Sequence, residues 1–190
     1  MANILLGASG AVNAVNLPHY VCELSRRGHV VRVILTTSAE SFISPAALRA
    51  STGVDVLTDR DFLPELTAHH VALAHWGEIL AVAPLTANTL AKLALGIADN
   101  LLLATALTKP PAVVAPCMNI ATYQHPVVQG HLDALRHWGA TLLAPTLFSI
   151  TQETKGLRMA GPRQLGQAIE DYLAERTGDR QESDPITDTL

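Results

Sequence analysis

Apolar residues in this chain gather into short unbroken runs at 4–6, 30–35, 79–83 and 112–115, with a weaker run at 141–144. Unbroken rather than alternating hydrophobicity marks strands covered on both faces. Between the runs, apolar residues at helical spacing predict helices at about 11–27, 45–52, 86–95, 99–107, 126–138 and 163–175. Strands alternating with helices predict an α/β fold, a doubly wound parallel sheet. No internal repeat and no second domain interrupt the pattern. Residues 1–176 read as one domain and 177–190 as a polar, disordered tail carrying Gly178, Pro185 and mixed charges.

Composition narrows the function. Of 190 residues, 48% are hydrophobic and 16% charged, enough apolar material for a sizeable core. A net charge of -4, with Arg26-Arg27 as the densest basic spot, argues against nucleic acid as partner. The start, Met-Ala-Asn-Ile-Leu-Leu-Gly, lacks the positive region of a signal peptide, and no apolar run approaches a membrane span. Cys22 and Cys117 form no CxxC and no disulfide framework, so a reducing cytoplasm is expected and no metal site.

In an open parallel sheet, ligands bind beyond the carboxyl ends of the strands, so the loops there carry the chemistry. The first is Gly7-Ala8-Ser9-Gly10-Ala11, whose small residues lead into a helix. Such a loop allows close backbone approach and offers free N–H groups to an anion; it is also an ordinary tight turn. The second, Thr36-Thr37-Ser38, offers three hydroxyls where a dinucleotide site places an acid for the ribose. That counts against NAD and suits a mononucleotide phosphate, with a hydroxyl-capped helix as the plainer reading. The third, Pro84-Leu85-Thr86-Ala87-Asn88-Thr89, ends a strand and caps a helix through Thr86 or Asn88. The fourth, Pro116-Cys117-Met118-Asn119, places an asparagine that donates and accepts hydrogen bonds, or forms an Asx turn. Among eight histidines, His69 and His70 precede the third strand run, and a histidine is the natural general base.

Five motifs in order resemble the homo-oligomeric flavin-containing cysteine decarboxylases. They are Gly7-Ala8-Ser9-Gly10, His70-Val71-x-Leu73-x-x-Trp76, Ala83 to Thr89, Gly96-Ile97-Ala98-Asp99-Asn100-Leu101-Leu102 and Ala115-Pro116-Cys117-Met118-Asn119. The resemblance implies a flavodoxin-like fold, FMN (with FAD as the alternative), and homotrimers that assemble into dodecamers with the active site at the subunit contact. It implies that Ser9, Gly10, Ala11, Ser38, Phe42, Thr86, Ala87, Asn88, Thr89 and Cys117 line the flavin. His70 falls on the catalytic histidine and Asn119 on the substrate-binding asparagine, with Asn13, Met118 and Arg158 as further substrate contacts.

Three subgroups compete: lantibiotic-type enzymes acting on the C-terminal cysteine of a ribosomally made precursor peptide, phosphopantothenoylcysteine decarboxylases of coenzyme A biosynthesis, and flavin prenyltransferases. Some relatives only bind flavin, as regulatory subunits. His70 and the Pro-x-Met-Asn loop belong to the decarboxylase pattern. Coenzyme A enzymes carry a cysteine in a C-terminal lid that helps to reduce the enethiol intermediate. The lid-like stretch here, residues 149–160, has none. The peptide-modifying reading is therefore expected, with residues 147–160 closing over the peptide as a lid by strand pairing. Two departures from the family pattern stand out: Thr122-Tyr123 after the asparagine, and Cys117 inside the fourth motif.

Overall fold

The computed structural model describes residues 1–62, 69–149 and 155–182. Six strands, β1 (Asn3–Ala8), β2 (Val30–Leu35), β3 (Asp55–Thr58), β4 (Ile79–Leu85), β5 (Val113–Pro116) and β6 (Thr141–Leu142), form one sheet in the order β3-β2-β1-β4-β5-β6. Every pairing in it is parallel. Without its edge strand β3, the order is that of the five-stranded flavodoxin-like sheet; with it, the order is 3-2-1-4-5-6. The expected doubly wound, flavodoxin-like single domain is the fold observed.

The central strands explain the unbroken runs. All seven residues of β4 and all four of β5 are buried, because helices cover both faces. β3 escaped the sequence reading because Asp-Val-Leu-Thr alternates in burial at an edge. The last expected strand, 141–144, pairs only at Thr141–Leu142.

Nine helices lie among the described residues: α1 (Leu17–Arg26), α2 (Thr37–Glu40), α3 (Pro45–Thr52), α4 (His69–Trp76), α5 (Ala87–Ala94), α6 (Leu101–Thr108), α7 (Ile120–Gln124), α8 (Pro126–His137) and α9 (Pro162–Glu182). A 3-10 turn, Val12–Asn16, precedes α1, so the helix expected from residue 11 starts later. Pro18 sits in its first turn, where the missing N–H costs nothing. α9 extends beyond the expected 163–175; of the expected tail, residues 183–190 lie outside the described residues.

One face of the sheet is packed by Leu17, Val21 and Leu24 of α1, Leu48 of α3, and Leu165 and Ile169 of α9. The other receives Leu73, Leu90, Leu93, Leu102, Leu132 and Leu135 from α4, α5, α6 and α8. α6 lies so close to β1 that a Cβ on Gly7 would stand 2.3 Å from Leu102 Cδ1. Two further strands, β7 (Thr146–Ser149) and β8 (Lys155–Arg158), pair antiparallel with Thr146 opposite Arg158. They occupy the stretch read as a lid, and their arms pair with each other; residues 150–154 lie outside the described residues.

Candidate active site

The carboxyl edge of the sheet is held together by a buried hydroxyl. Ser9 Oγ donates to the Pro84 carbonyl at 2.8 Å and accepts from the Thr86 backbone N–H at 2.8 Å. A third bond runs from the Ser9 backbone N–H to the same carbonyl, at 3.0 Å. The first and third loops are thus fixed to each other. The first and second loops touch as closely: a Cβ on Gly10 would lie 2.5 Å from Ser38 Cβ and 2.9 Å from the Ser38 carbonyl oxygen. Only glycine fits there, and what it approaches is the neighbouring loop.

Around this junction opens a polar cleft of about 370 Å³, bounded by Gly10, the 36–38 loop, Asp59, Thr86, Asn88, Thr89, Lys92, Asp99 and Asn100. Thr86 caps α5, its Oγ1 accepting from the Thr89 N–H at 3.4 Å. Asn100 caps α6 through Leu103 N–H at 2.9 Å. Lys92 forms an ion pair with Asp99. Asp59 accepts from the Thr37 N–H at 2.9 Å, the Thr37 hydroxyl at 2.7 Å and the Leu101 N–H at 3.2 Å. The expectation of hydroxyls without an acid at the second loop is corrected here. Asp59 arrives from the end of β3, a strand the pattern did not reveal. Its two oxygens already serve three donors of the chain itself.

The cleft fits a phosphorylated, hydroxyl-rich ligand. Thr36 Oγ1 is buried on its wall with no hydrogen-bond partner, a deficit of roughly 1–3 kcal/mol unless a ligand supplies one. Lys92 is paired with Asp99, so the donors left for a phosphate are those of the first turn of α5, which faces the same space.

A second, less polar hollow of about 850 Å³ lies on the other side of the 3-10 turn, lined by Asn13, Asn16, His19, Tyr20, Arg158 and Met159, among others. Tyr20 donates to the Ala160 carbonyl at 2.6 Å, anchoring the end of the β7–β8 hairpin to α1. Burial raises the Tyr20 hydroxyl to about 12, with Cys117 adding to the effect and Arg158 opposing it. Cys117 donates to Asn13 Oδ1 at 3.3 Å, and burial pushes its thiol up, so it stays protonated.

The expected site residues therefore divide. Gly10, Ser38, Thr86, Asn88 and Thr89 meet around the polar cleft, and Asn13 and Arg158 at the second hollow. Ser9 and Cys117 are buried and Ala11 and Ala87 half-buried, none of them lining either hollow, while Phe42 is exposed just beyond α2. Met118 is half-buried against the second core cluster. Asn119 caps α7, Oδ1 accepting from the Thr122 N–H at 2.8 Å, which is the plainer reading of that residue. His70 lies in the first turn of α4, half-buried, its ring edge-on to Phe62 with centroids 6.0 Å apart. It lines neither hollow. Asp59 and Lys92 were missed by sequence reasoning; Asp59 had one signal, the acidic Asp-Arg-Asp turn after a short β-branched stretch.

Among the described residues no helix is long and apolar enough to cross a membrane. A family profile described as Flavoprotein matches residues 1–174. The coenzyme A biosynthesis bifunctional protein CoaBC of Bacillus subtilis is 33% identical over 180 residues, covering 92% of this chain and 44% of that protein. The chain thus spans less than half the length of that relative. Among solved structures, the FMN-dependent cysteine decarboxylase SpaF superposes with a TM-score of 0.76 at 32% identity, covering 91% of this chain and 98% of SpaF. A cysteine-to-serine variant of a PPC decarboxylase, complexed with pantothenoylaminoethenethiol, gives a TM-score of 0.79 at 31% identity, with coverage of 91% and 98%. With the profile match, the shared sheet and the polar cleft on its carboxyl edge, the chain belongs to the Flavoprotein family, and FMN-dependent cysteine decarboxylases are among its structural neighbours.

Proposed function

We propose that the chain oxidatively decarboxylates the C-terminal cysteine of a ribosomally made peptide and releases it as an aminoenethiol. The observation that carries this reading is the lid: residues 149–160 contain no cysteine. Reducing an enethiol back to a saturated thiol needs a proton donor beside it, and the lid offers no thiol for that purpose. A relative with one cysteine replaced by serine holds an enethiol, in keeping with this chemistry.

When bound, FMN supplies the two-electron oxidising capacity that no side chain has. Gly10, Ser38, Thr86, Asn88 and Thr89 would hold it, with the unpartnered Thr36 hydroxyl beside them. Ser9, Ala11, Ala87, Cys117 and Phe42 would complete its surroundings. Once the cysteine CH2–SH is a thioaldehyde, its C=S lies β to the carboxylate and takes the electron pair left by CO2. His70 takes the proton released in the oxidation. The side-chain N–H groups of Asn119, whose oxygen is engaged in its cap, hold the terminal carboxylate in register. Asn13, Met118 and Arg158 contact the remainder of the cysteine. Because His70 lines neither hollow of its own subunit, it serves the site of a neighbour in a homotrimer, itself a unit of a dodecamer.

Purified protein incubated with short peptides ending in cysteine tests the reading: mass loss of CO2 plus two hydrogens is expected. The coenzyme A reading, decarboxylation of phosphopantothenoylcysteine, has the CoaBC relative in its favour. Turnover of that compound alone would establish it instead, and bound flavin with turnover of neither would make the chain a flavin-binding subunit. In the His70→Asn variant the protein should stay yellow while CO2 release falls at least 100-fold, the lower end of what general acid–base catalysis contributes.

A further inference from the structure

We infer that a groove along α1 binds the residues that precede the substrate's cysteine, and that its outer end selects acidic ones; this rests on the peptide reading above. The second hollow does not end at the hairpin. It shares His19, Gly161, Pro162 and Gln164 with an open groove of about 560 Å³ that continues outward to Cys22, Glu23, Arg26 and Arg163. Asn16, His19, Glu23 and Arg26 recur at spacings of three and four, so they form one stripe along the helix. The start of α9 forms the opposite wall.

Length and charge define the occupant. From Asn16 to Arg26 the helix rises about 15 Å at 1.5 Å per residue. Extended peptide advances about 3.3 Å per residue, so the groove takes four or five residues. The inner end, with Asn13 and Arg158, lies where the cysteine is proposed to bind. At the outer end Glu23 is paired with Arg26 at 3.0 Å and with Arg27 at 2.8 Å, Arg27 being shared with Glu170, so these four charges balance. Those hydrogen bonds, Arg26 first, hold its carboxyl down at about 2, so it stays charged and paired. Arg163 is exposed and pairs with no carboxylate among the described residues. An excess of positive charge thus stands four to five residues upstream of the cysteine.

The test uses flavin-loaded protein and two six-residue peptides ending in cysteine, one with aspartate and one with lysine at the fourth and fifth positions before it. A two-residue peptide ending in cysteine serves as reference. The aspartate peptide should show the lower KM. In Arg163→Glu the ratio of its KM to that of the reference should rise about fivefold, or about 1 kcal/mol by RT ln 5. Two readouts are independent of turnover. The same peptides ending in serine should bind with the same charge preference by fluorescence anisotropy. Their binding should also slow alkylation of Cys22, the exposed thiol on the groove wall, while Cys117 is buried. Peptide turnover with no charge preference and no protection of Cys22 would overturn the groove and leave the proposed function intact. Failure to bind or turn over any peptide would overturn both.

Discussion

Single residues set the tolerances of this protein. His29, at the turn into β2, is 7% exposed and neither ring nitrogen has a hydrogen-bond partner. Burial lowers its pKa; the nearby chain amino group and Arg27 lower it further, while Glu170 and Glu78 act the other way. The unfolded chain takes up this proton near pH 6.5, the folded chain only at lower pH. Stability is therefore complete above pH 6.5 and declines as pH falls. His29→Leu should lose less stability than the parent between pH 7.5 and 5.5, as read from urea midpoints; an equal loss would remove His29 as a cause. Ser9 sets a second tolerance. Ser9→Ala strips the Thr86 N–H of its acceptor, and an expected loss of roughly 1–3 kcal/mol should appear as a lower Tm together with weaker flavin retention. Sequence motifs pointed to Ser9, Gly10 and Thr86, but the requirement for glycine at position 10 comes from Ser38, a contact no linear motif encodes.

At the scale of elements, legibility followed burial. β1, β2, β4 and β5 were visible because a strand covered on both faces must be apolar throughout. β3, α4 and the β7–β8 hairpin were not: a four-residue edge strand, an eight-residue helix without a clear polar face, and a polar hairpin leave little periodicity. These are the elements from which Asp59, His70 and Arg158 come; Asp59 was missed, and His70 and Arg158 were given their roles through family resemblance. The hairpin is tied to the body through Tyr20 and Ala160. Tyr20→Phe removes that bond, worth about 1 kcal/mol. It should raise KM for peptide substrates with little change in flavin content; an unchanged KM would show that the hairpin holds its place without it.

For the whole molecule, alternation of strand and helix made the doubly wound sheet readable, whereas the strand order needed the pairings themselves. Assembly is the remaining level. With His70 on α4 and Asn119 before α7, the proposed trimer builds each centre from two chains. Mixing inactive His70→Asn protein with inactive Asn119→Ala protein under subunit exchange should restore part of the parental rate, because some contacts then pair an intact His70 with an intact Asn119. No recovery at any mixing ratio would place both residues in the service of one chain.

Asp59 joins the beginnings of α2 and α6 with a carboxylate that belongs to the chain. Those two helix starts, which in many nucleotide sites wait for a phosphate to draw them together, are already bridged from within. The receptacle is therefore finished before its guest arrives, and loading it needs little rearrangement of that wall. A guest that departs leaves the wall standing, ready for the next.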